Sequence, residues 1–261
     1  MPELPEVEAY RLLAERALER PIKSVDAPDA WYLKGGIDAA LIRRTLRRRR
    51  FTDARRTGKL LLLDTSDNGP TLGLRFGMTG RLVVDGALGV DELIYSSNRS
   101  EPAWDRFVVH FVDGGDLRMR DPRRLGGVTL DPDEAKLGAD ARSMTVAQLR
   151  DALAGSRTAL KARLLDQSRF AGVGNLIADE TLYRAGLDPR REAGGLNDAE
   201  RRRLHRHLTR TVGDLIERGG SHTGDFLPHR HAGGLCPKDG TPLVRDTVGG
   251  RTTWFCPTHQ Q

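Results

Sequence analysis

Cysteine is almost missing: Cys236 and Cys256 are the only two in 261 residues, and both lie near the C-terminus. A fold stapled by several disulfides is thereby excluded, and in a reducing compartment two such thiols point toward metal binding. No run approaches the roughly 20 apolar residues that a membrane-spanning helix needs. The opening PELPEVEAYRLLAER is acidic and amphipathic, unlike the basic start and apolar centre of a secretory signal. No internal repeat occurs, which excludes solenoids and propellers. The expected location is the cytoplasm, with no membrane partner.

What is present is ordinary apolar content and much positive charge. At 38% hydrophobic and 30% charged residues, the chain is too apolar for a disordered one and long enough for one large domain or two modest ones. The net charge is +6, with arginine far ahead of lysine. Arginine grips phosphate with a planar bidentate fork, so a polyanion such as nucleic acid leads the candidate partners.

The texture changes twice along the chain. VEAYRLLAERALE has helical spacing and ends at Arg20-Pro21. From 22 to 130, KLLLLD, TLGLRF, GRLVVDG, RFVVHFVDGG and GGVTL read as strands between glycine-marked turns, suggesting a sandwich or barrel. A polar connector follows. TVAQLRDALAG, RTALKARLLDQ, NLIADETLYRAG and NDAERRRLHRHLTRTVGDLIERGG then have helical period, the last capped by Asn197 or Asp198 and stopped by Gly219. The expected fold is α+β. An N-terminal helix and β-sandwich domain span 1–131, with a linker at 132–145. A helical domain follows at 146–230, and a C-terminal hairpin module at 231–261.

Five local patterns carry chemistry. Removal of Met1 leaves Pro2, a secondary amine, directly before Glu3. RRTGKLLLLD puts Lys59 after a turn, at the start of a strand. FGMTGRLV and MRDPRRLGGV set Met78 and Leu125 in glycine-marked turns beside arginine; apolar wedges of this kind fill the disrupted stack in kinked DNA. Gly172-Val173-Gly174 precedes a helix at Asn175, a turn whose free amides suit phosphate. In the tail, Cys236-Pro-Lys-Asp239 and Cys256-Pro-Thr-His259 are two knuckles sixteen residues apart. On a hairpin they bring four side chains together, as tetrahedral zinc requires. His222, His229 and His231 compete for the fourth place, and a metal-free hairpin with two buried thiols is the alternative.

PELPEVE, the Lys59 hairpin, FGMTG, DPRR-x-G, GVGN-x-x-A-x-E and GR-x-T-x-x-C stand in this order over essentially the whole chain. In this the chain resembles the formamidopyrimidine-DNA glycosylase/endonuclease VIII family of base-excision repair enzymes. The resemblance implies a bifunctional DNA glycosylase and abasic-site lyase acting on damaged double-stranded DNA, as a monomer associated with the nucleoid and without a nucleotide cofactor. Pro2 is implied as nucleophile on the sugar C1′. Glu3 is the implied proton donor to the sugar ring, with Glu6 at a second acidic position. Lys59 is implied to grip phosphate and assist catalysis. Met78, Arg123 and Leu125 would fill the gap left by a flipped base. Asn175 falls in a helix–two-turns–helix element with Glu180 on the helix it starts, and Arg251 matches a phosphate-contacting zinc-finger arginine.

Two departures bear on substrate. Leu125 stands where the glycosylase branch usually has phenylalanine, and the segment between Gly220 and Cys236 is short. The aliphatic wedge is less able to stack, and the short segment leans away from 8-oxoguanine, leaving oxidised pyrimidines, ring-opened bases and abasic sites open. Two other readings remain at this stage: an abasic-site lyase without strong base recognition, and a non-catalytic binder of damaged DNA.

Overall fold

The structure, a computed structural model, describes residues 2–90, 93, 94, 96 and 99–261. The chain forms two compact units that divide between Glu134 and Ala135. No helix among the described residues is long and apolar enough to cross a membrane.

The first unit contains α1 (Leu4–Ala14), β1 (Ile22–Asp26), α2 (Ala39–Leu46), β2 (Phe51–Thr57), β3 (Leu60–Thr65), β4 (Leu72–Arg75), β5 (Arg81–Val84), β6 (Ala87–Leu88), β7 (Asp105–Phe111), β8 (Asp116–Arg120) and β9 (Gly127–Leu130). The strands make two antiparallel sheets, one ordered β1-β7-β8-β5-β6 and the other β2-β3-β4-β9. A single core joins them: Phe107, Phe111, Leu117 and Met119 from one sheet meet Phe51, Leu61, Leu63, Leu72 and Val128 from the other. Each such side chain, fully buried, contributes about 1.5–3 kcal/mol, which sets the sheet pairing firmly. Helix α1 buries Leu4, Val7, Tyr10, Leu13 and Ala14, the face demanded by its apolar spacing.

The expected sandwich is present, with strands β1, β2, β6 and β8 beyond the five runs read as strands, and with a helix. The stretch read as strands alone also holds α2, whose Ile42 and Leu46, four apart, are its buried face and whose Asp38 side chain caps Leu41 N at 2.6 Å. Six arginines in its sequence and just beyond it hid that short apolar face. Lys59 lies in the β2–β3 turn itself, with Thr57 paired to Leu60 across Gly58-Lys59. Gly58 takes φ +58°, and glycine in the first place of a two-residue loop suits the twist of a hairpin.

The second unit contains β10 (Ala139–Asp140), α3 (Val146–Leu153), α4 (Leu160–Leu164), β11 (Phe170–Ala171), α5 (Asn175–Ala185), α6 (Asp198–Glu217), β12 (Val244–Val248) and β13 (Arg251–Phe255). Strands β10 and β11 pair in parallel, so the later half of the expected linker is built into this unit. Helix α5 packs on both α6 and β13, and the C-terminal hairpin therefore shares a unit with the helices. Asn197 caps α6 through a reciprocal box with Glu200. The helix ends at Gly219, φ +89°, with Gly220 N donating to Leu215 O and Gly219 N to Ile216 O, the paired bonds of a Schellman turn.

That cap is testable. Asn197→Ala is expected to cost about 1 kcal/mol and lower the thermal midpoint by roughly 2–4 °C, whereas Asn197→Gly loses only a few tenths. Equal melting of all three proteins would remove the cap from the account of α6.

Candidate functional site

The first cluster is built on the start of α1. Pro2 and Glu3 are buried there. Glu3 N donates to Glu6 Oε2 at 2.8 Å, while the Glu3 side chain accepts from the Glu6 amide. This box satisfies two of the amides that a helix start leaves open and sets the direction of residues 2–3. Glu6 thus acts on the backbone. One turn on, Glu8 Oε2 accepts from Arg56 Nε at 2.9 Å, and Arg56 Nη1 donates to Gly58 O at 2.9 Å. Burial pushes the Glu8 carboxyl up, but bonds from Arg56 and Arg11 outweigh it and leave it below the usual range. The ion pair is almost wholly enclosed, and breaking such a pair costs about 3–5 kcal/mol. It ties the turn that carries Lys59 to the helix that carries Pro2 and Glu3.

A second cluster holds Met78, Arg123 and Leu125. The loops 76–80 and 121–126 are knotted by Asp121, a carboxylate with no exposed surface. Its Oδ1 accepts from Thr79 Oγ1 at 2.7 Å and from Arg123 N at 3.1 Å, and its Oδ2 accepts from Gly126 N at 2.8 Å. Gly77, at φ +58°, brings the two backbones so close that a Cβ there would lie 2.6 Å from Gly126 N. Tyr10 Oη donates to Gly80 O at 3.3 Å, joining α1 to the same loops. Met78 is half-buried and Arg123 exposed, and Leu125 leaves 50% of its surface open. An apolar side chain held in water by a locked loop is suited to insertion. Beside it, Arg124 makes two bonds to Asp29 at 2.6 and 2.7 Å, and its guanidinium holds that carboxyl below its ordinary pKa.

In the second unit, Asn175 starts α5 and its Nδ2 donates to Thr252 O at 3.2 Å, next to Arg251. Arg251 opens β13, exposed, after a Gly249-Gly250 turn with φ +59° and +70°, the two positive values a type I′ hairpin turn requires. A buried charge network supports both. Lys161 Nζ lies 2.7 Å from Asp179 Oδ1 and donates to Thr252 O at 3.0 Å and Thr253 Oγ1 at 2.7 Å. Arg230 Nη2 closes on Asp179 Oδ2 at 2.6 Å. Nothing in the sequence separates these three from surface charges; only burial does. Glu180, grouped with the DNA-facing residues, is turned inward: Arg184 Nε donates to it at 2.7 Å and Phe226 N at 2.8 Å. Its carboxylate anchors the 224–226 segment.

At the C-terminus, the ligating atoms of Cys236, Asp239 and Cys256 all lie within 4.8 Å of one another. Cys256 Sγ stands 3.4 Å from Asp239 Oδ2 and accepts from His259 N at 3.2 Å. The Thr241 amide, at 2.9 Å, is the main reason the Asp239 carboxyl is held down to about 2. His259 is not in this group, contrary to the spacing argument. Its Nε2 lies 2.8 Å from Tyr183 O, and its ring meets the Tyr183 ring edge-on at 5.2 Å. Nor are His222, His229 or His231 among the three.

Comparisons with known proteins match the chain over its whole length. The model of the formamidopyrimidine-DNA glycosylase N-terminal domain matches residues 1–128, and that of the formamidopyrimidine-DNA glycosylase H2TH domain matches residues 137–226. A formamidopyrimidine-DNA glycosylase of Symbiobacterium thermophilum is 36% identical over all of this chain and 89% of its own length. One from Paracoccus denitrificans is 35% identical over the whole of both chains. Among solved structures, a Lactococcus lactis FPG mutant in complex with DNA containing Fapy-dG superposes with a TM-score of 0.84, 25% identical and covering 100% of both chains.

The Asp121 knot predicts its own loss. Asp121→Ala strands three donors, each bond to a charged group contributing about 1.5–3 kcal/mol, and should lower urea stability by several kcal/mol. Trypsin should then cut after Arg123 or Arg124 at least roughly tenfold faster, because local opening sets the rate. Asp121→Asn, which keeps an acceptor, should fall between. Unchanged cleavage in the alanine variant would mean the loops hold without this carboxylate.

Proposed function

Since the chain belongs to the formamidopyrimidine-DNA glycosylase family, we propose that Pro2, Glu3 and Lys59 are the reacting group of a base-excision DNA glycosylase that also cleaves abasic sites. The observation that carries this reading is the first cluster: amine and acid at one helix start, with the lysine turn tied to the same helix through Glu8 and Arg56.

The chemistry follows from the groups. With Met1 removed, Pro2 is an α-amine, a class of group whose unperturbed pKa of roughly 7.7–8.0 leaves far more of it neutral at pH 7 than a lysine side chain. The neutral nitrogen attacks C1′ of the damaged nucleotide as the base departs. Glu3 donates its proton to O4′, which opens the sugar ring. The product is an iminium, positively charged without further protonation because the amine is secondary. That charge accepts the electron pair freed when the 2′-proton leaves, and the 3′-phosphate is then expelled, nicking the strand. Lys59 holds a phosphate beside the reacting sugar.

Reaching the sugar requires the nucleotide to leave the duplex, at a few kcal/mol, least for a damaged or mispaired base. Met78 and Leu125 offset part of that cost by filling the vacated stack, while Arg123 reaches the strand opposite. In the second unit, Asn175 and Arg251 take backbone phosphate, their positions set by the Thr252 carbonyl and the buried Lys161 beneath it. The substrate is double-stranded DNA bearing an oxidised or ring-opened base, bound by a monomer. An aliphatic residue at 125 favours, as second reading, an enzyme that acts chiefly on abasic sites.

Two buried thiols, a nearby carboxylate and an amide-to-sulfur bond suit a tetrahedral zinc ion, with Cys236, Asp239 and Cys256 as three of its four ligands. Bound there, zinc would be structural, holding the hairpin that carries Arg251.

Borohydride trapping tests the nucleophile. Incubation with duplexes holding single defined lesions should give a covalent adduct, Pro2→Gly should cut its yield at least roughly tenfold, and affinity for DNA should change little. Trapping by protein whose mass still includes Met1 would overturn the Pro2 assignment. Adduct with abasic DNA alone would select the second reading. Elemental analysis should find one zinc per chain, lost in Cys236→Ser along with much of the DNA affinity; a metal-free protein of equal affinity would refute the metal.

A further inference from the structure

Trp31 is the most exposed large apolar side chain among the described residues, with 66% of its surface open. Its backbone is nevertheless fixed. Trp31 N donates to Asp29 Oδ1 at 3.1 Å, opening a single 3₁₀ turn at Ala30–Tyr32. The same Asp29 carboxylate takes both bonds from Arg124. Past the turn, Leu33 bridges Val128 in parallel and Lys34 N donates to Val128 O at 2.8 Å. A Cβ on Gly127 would lie 2.7 Å from Lys34 Cγ, and one on Gly126 would strike the Tyr32 hydroxyl. Run back along this parallel register, the Ala30–Tyr32 turn lies alongside residues 125–127. The indole is therefore held in solvent beside the loop that carries Arg123 and Leu125.

Its surroundings are cationic. The Lys34 ammonium stands 4.2 Å from the centre of the Trp31 ring, and exposed Arg123 belongs to the neighbouring loop. A largely exposed ring on a rigid backbone, with the Lys34 ammonium held over one face by its bond to Trp31 O, is the composition of a platform on which a nucleobase stacks while its phosphate is neutralised. A core role is excluded by the exposure. The wedge at Leu125 is aliphatic and has no ring to offer a base.

We infer that Trp31 is a stacking site for a nucleobase: it takes the face of a base in the strand opposite the lesion, next to the gap filled by Met78, Arg123 and Leu125. This rests on the proposed action on duplex DNA and adds a binding group to it. Trp31 supplies the aromatic surface that the wedge loop lacks, and so favours duplexes whose stack is already broken.

The test uses the full chain, its Trp31→Ala and Trp31→Phe variants, and duplexes with or without one tetrahydrofuran abasic analogue. Trp31→Ala should bind the analogue duplex roughly 5–150-fold more weakly, the range that loss of one base–aromatic stack implies, with little change on intact duplex. Trp31→Phe should stay within about threefold of wild type, since a smaller ring still stacks. Binding should quench wild-type tryptophan fluorescence, and the quench should be largely lost in Trp31→Phe, which keeps only Trp104 and Trp254. Equal analogue affinity for wild type and Trp31→Ala, or an undiminished quench in Trp31→Phe, overturns the inference. Borohydride trapping in the same samples separates it from the reading beneath. Normal trapping with equal affinities removes only the Trp31 site. Weakened Trp31→Ala binding without trapping by any protein leaves the stacking site standing and removes the catalytic reading.

Discussion

A carboxylate sealed from water, that of Asp121, fixes the two loops that carry Met78, Arg123 and Leu125. It accepts from a threonine hydroxyl on one loop and from two backbone amides on another. In a low-dielectric setting such a group must be fully bonded or be very costly, so the two loops have one stable arrangement rather than many. Leu125 stays in solvent, and Arg123 beside it, because the backbone beneath them has nowhere else to go. The Tyr32–Trp31 turn, packed against Gly126 and Gly127, inherits the same constraint. In the wedge role proposed for it, Leu125 must be stiff before it meets DNA. A mobile wedge would lose in ordering what it gained in filling the gap.

The second unit uses the same principle with opposite charges. Lys161, fully enclosed, is answered by Asp179 and by the carbonyl and hydroxyl of Thr252 and Thr253. Asp179 is answered again by Arg230. Buried ion pairs of this kind rarely add much net stability over apolar packing, since desolvation consumes the Coulombic gain. Their value here is register. A lysine that needs a particular carbonyl on β13 allows one placement of the hairpin on α4 and α5, and hence one placement of Arg251 relative to Asn175. The Glu8–Arg56 pair does the same for α1 and the Lys59 turn.

Much of this was legible along the chain. Apolar spacing and glycine punctuation located α1, five strands and the four later helices, because burial imposes a period that sequence displays directly. The Asn197 cap and the Gly219 stop follow from local backbone chemistry, which needs no distant partner. Helix α2 escaped because Ile42 and Leu46 are diluted by arginines, and β10 because a two-residue parallel pair has no pattern of its own. His259 was misplaced for a related reason. Knuckle spacing says that a side chain is near, but the nearby Tyr183 carbonyl decides which way its ring turns.

Local sequence specifies most of the elements, their order and the groups proposed to react: an imino acid beside a glutamate, a lysine in a hairpin turn, apolar tips among arginines, and two knuckled thiols. Each is a property of neighbours along the chain. Which charges hold the frame is settled by burial in three dimensions. Glu6, Glu180, Asp121, Asp179 and Lys161 look alike in a string of letters, and what distinguishes them is loss of water and the polar partners that replace it. Those partners come from residues up to 92 positions away, as the Thr253 hydroxyl that accepts from Lys161 does, and no local pattern encodes such a distance.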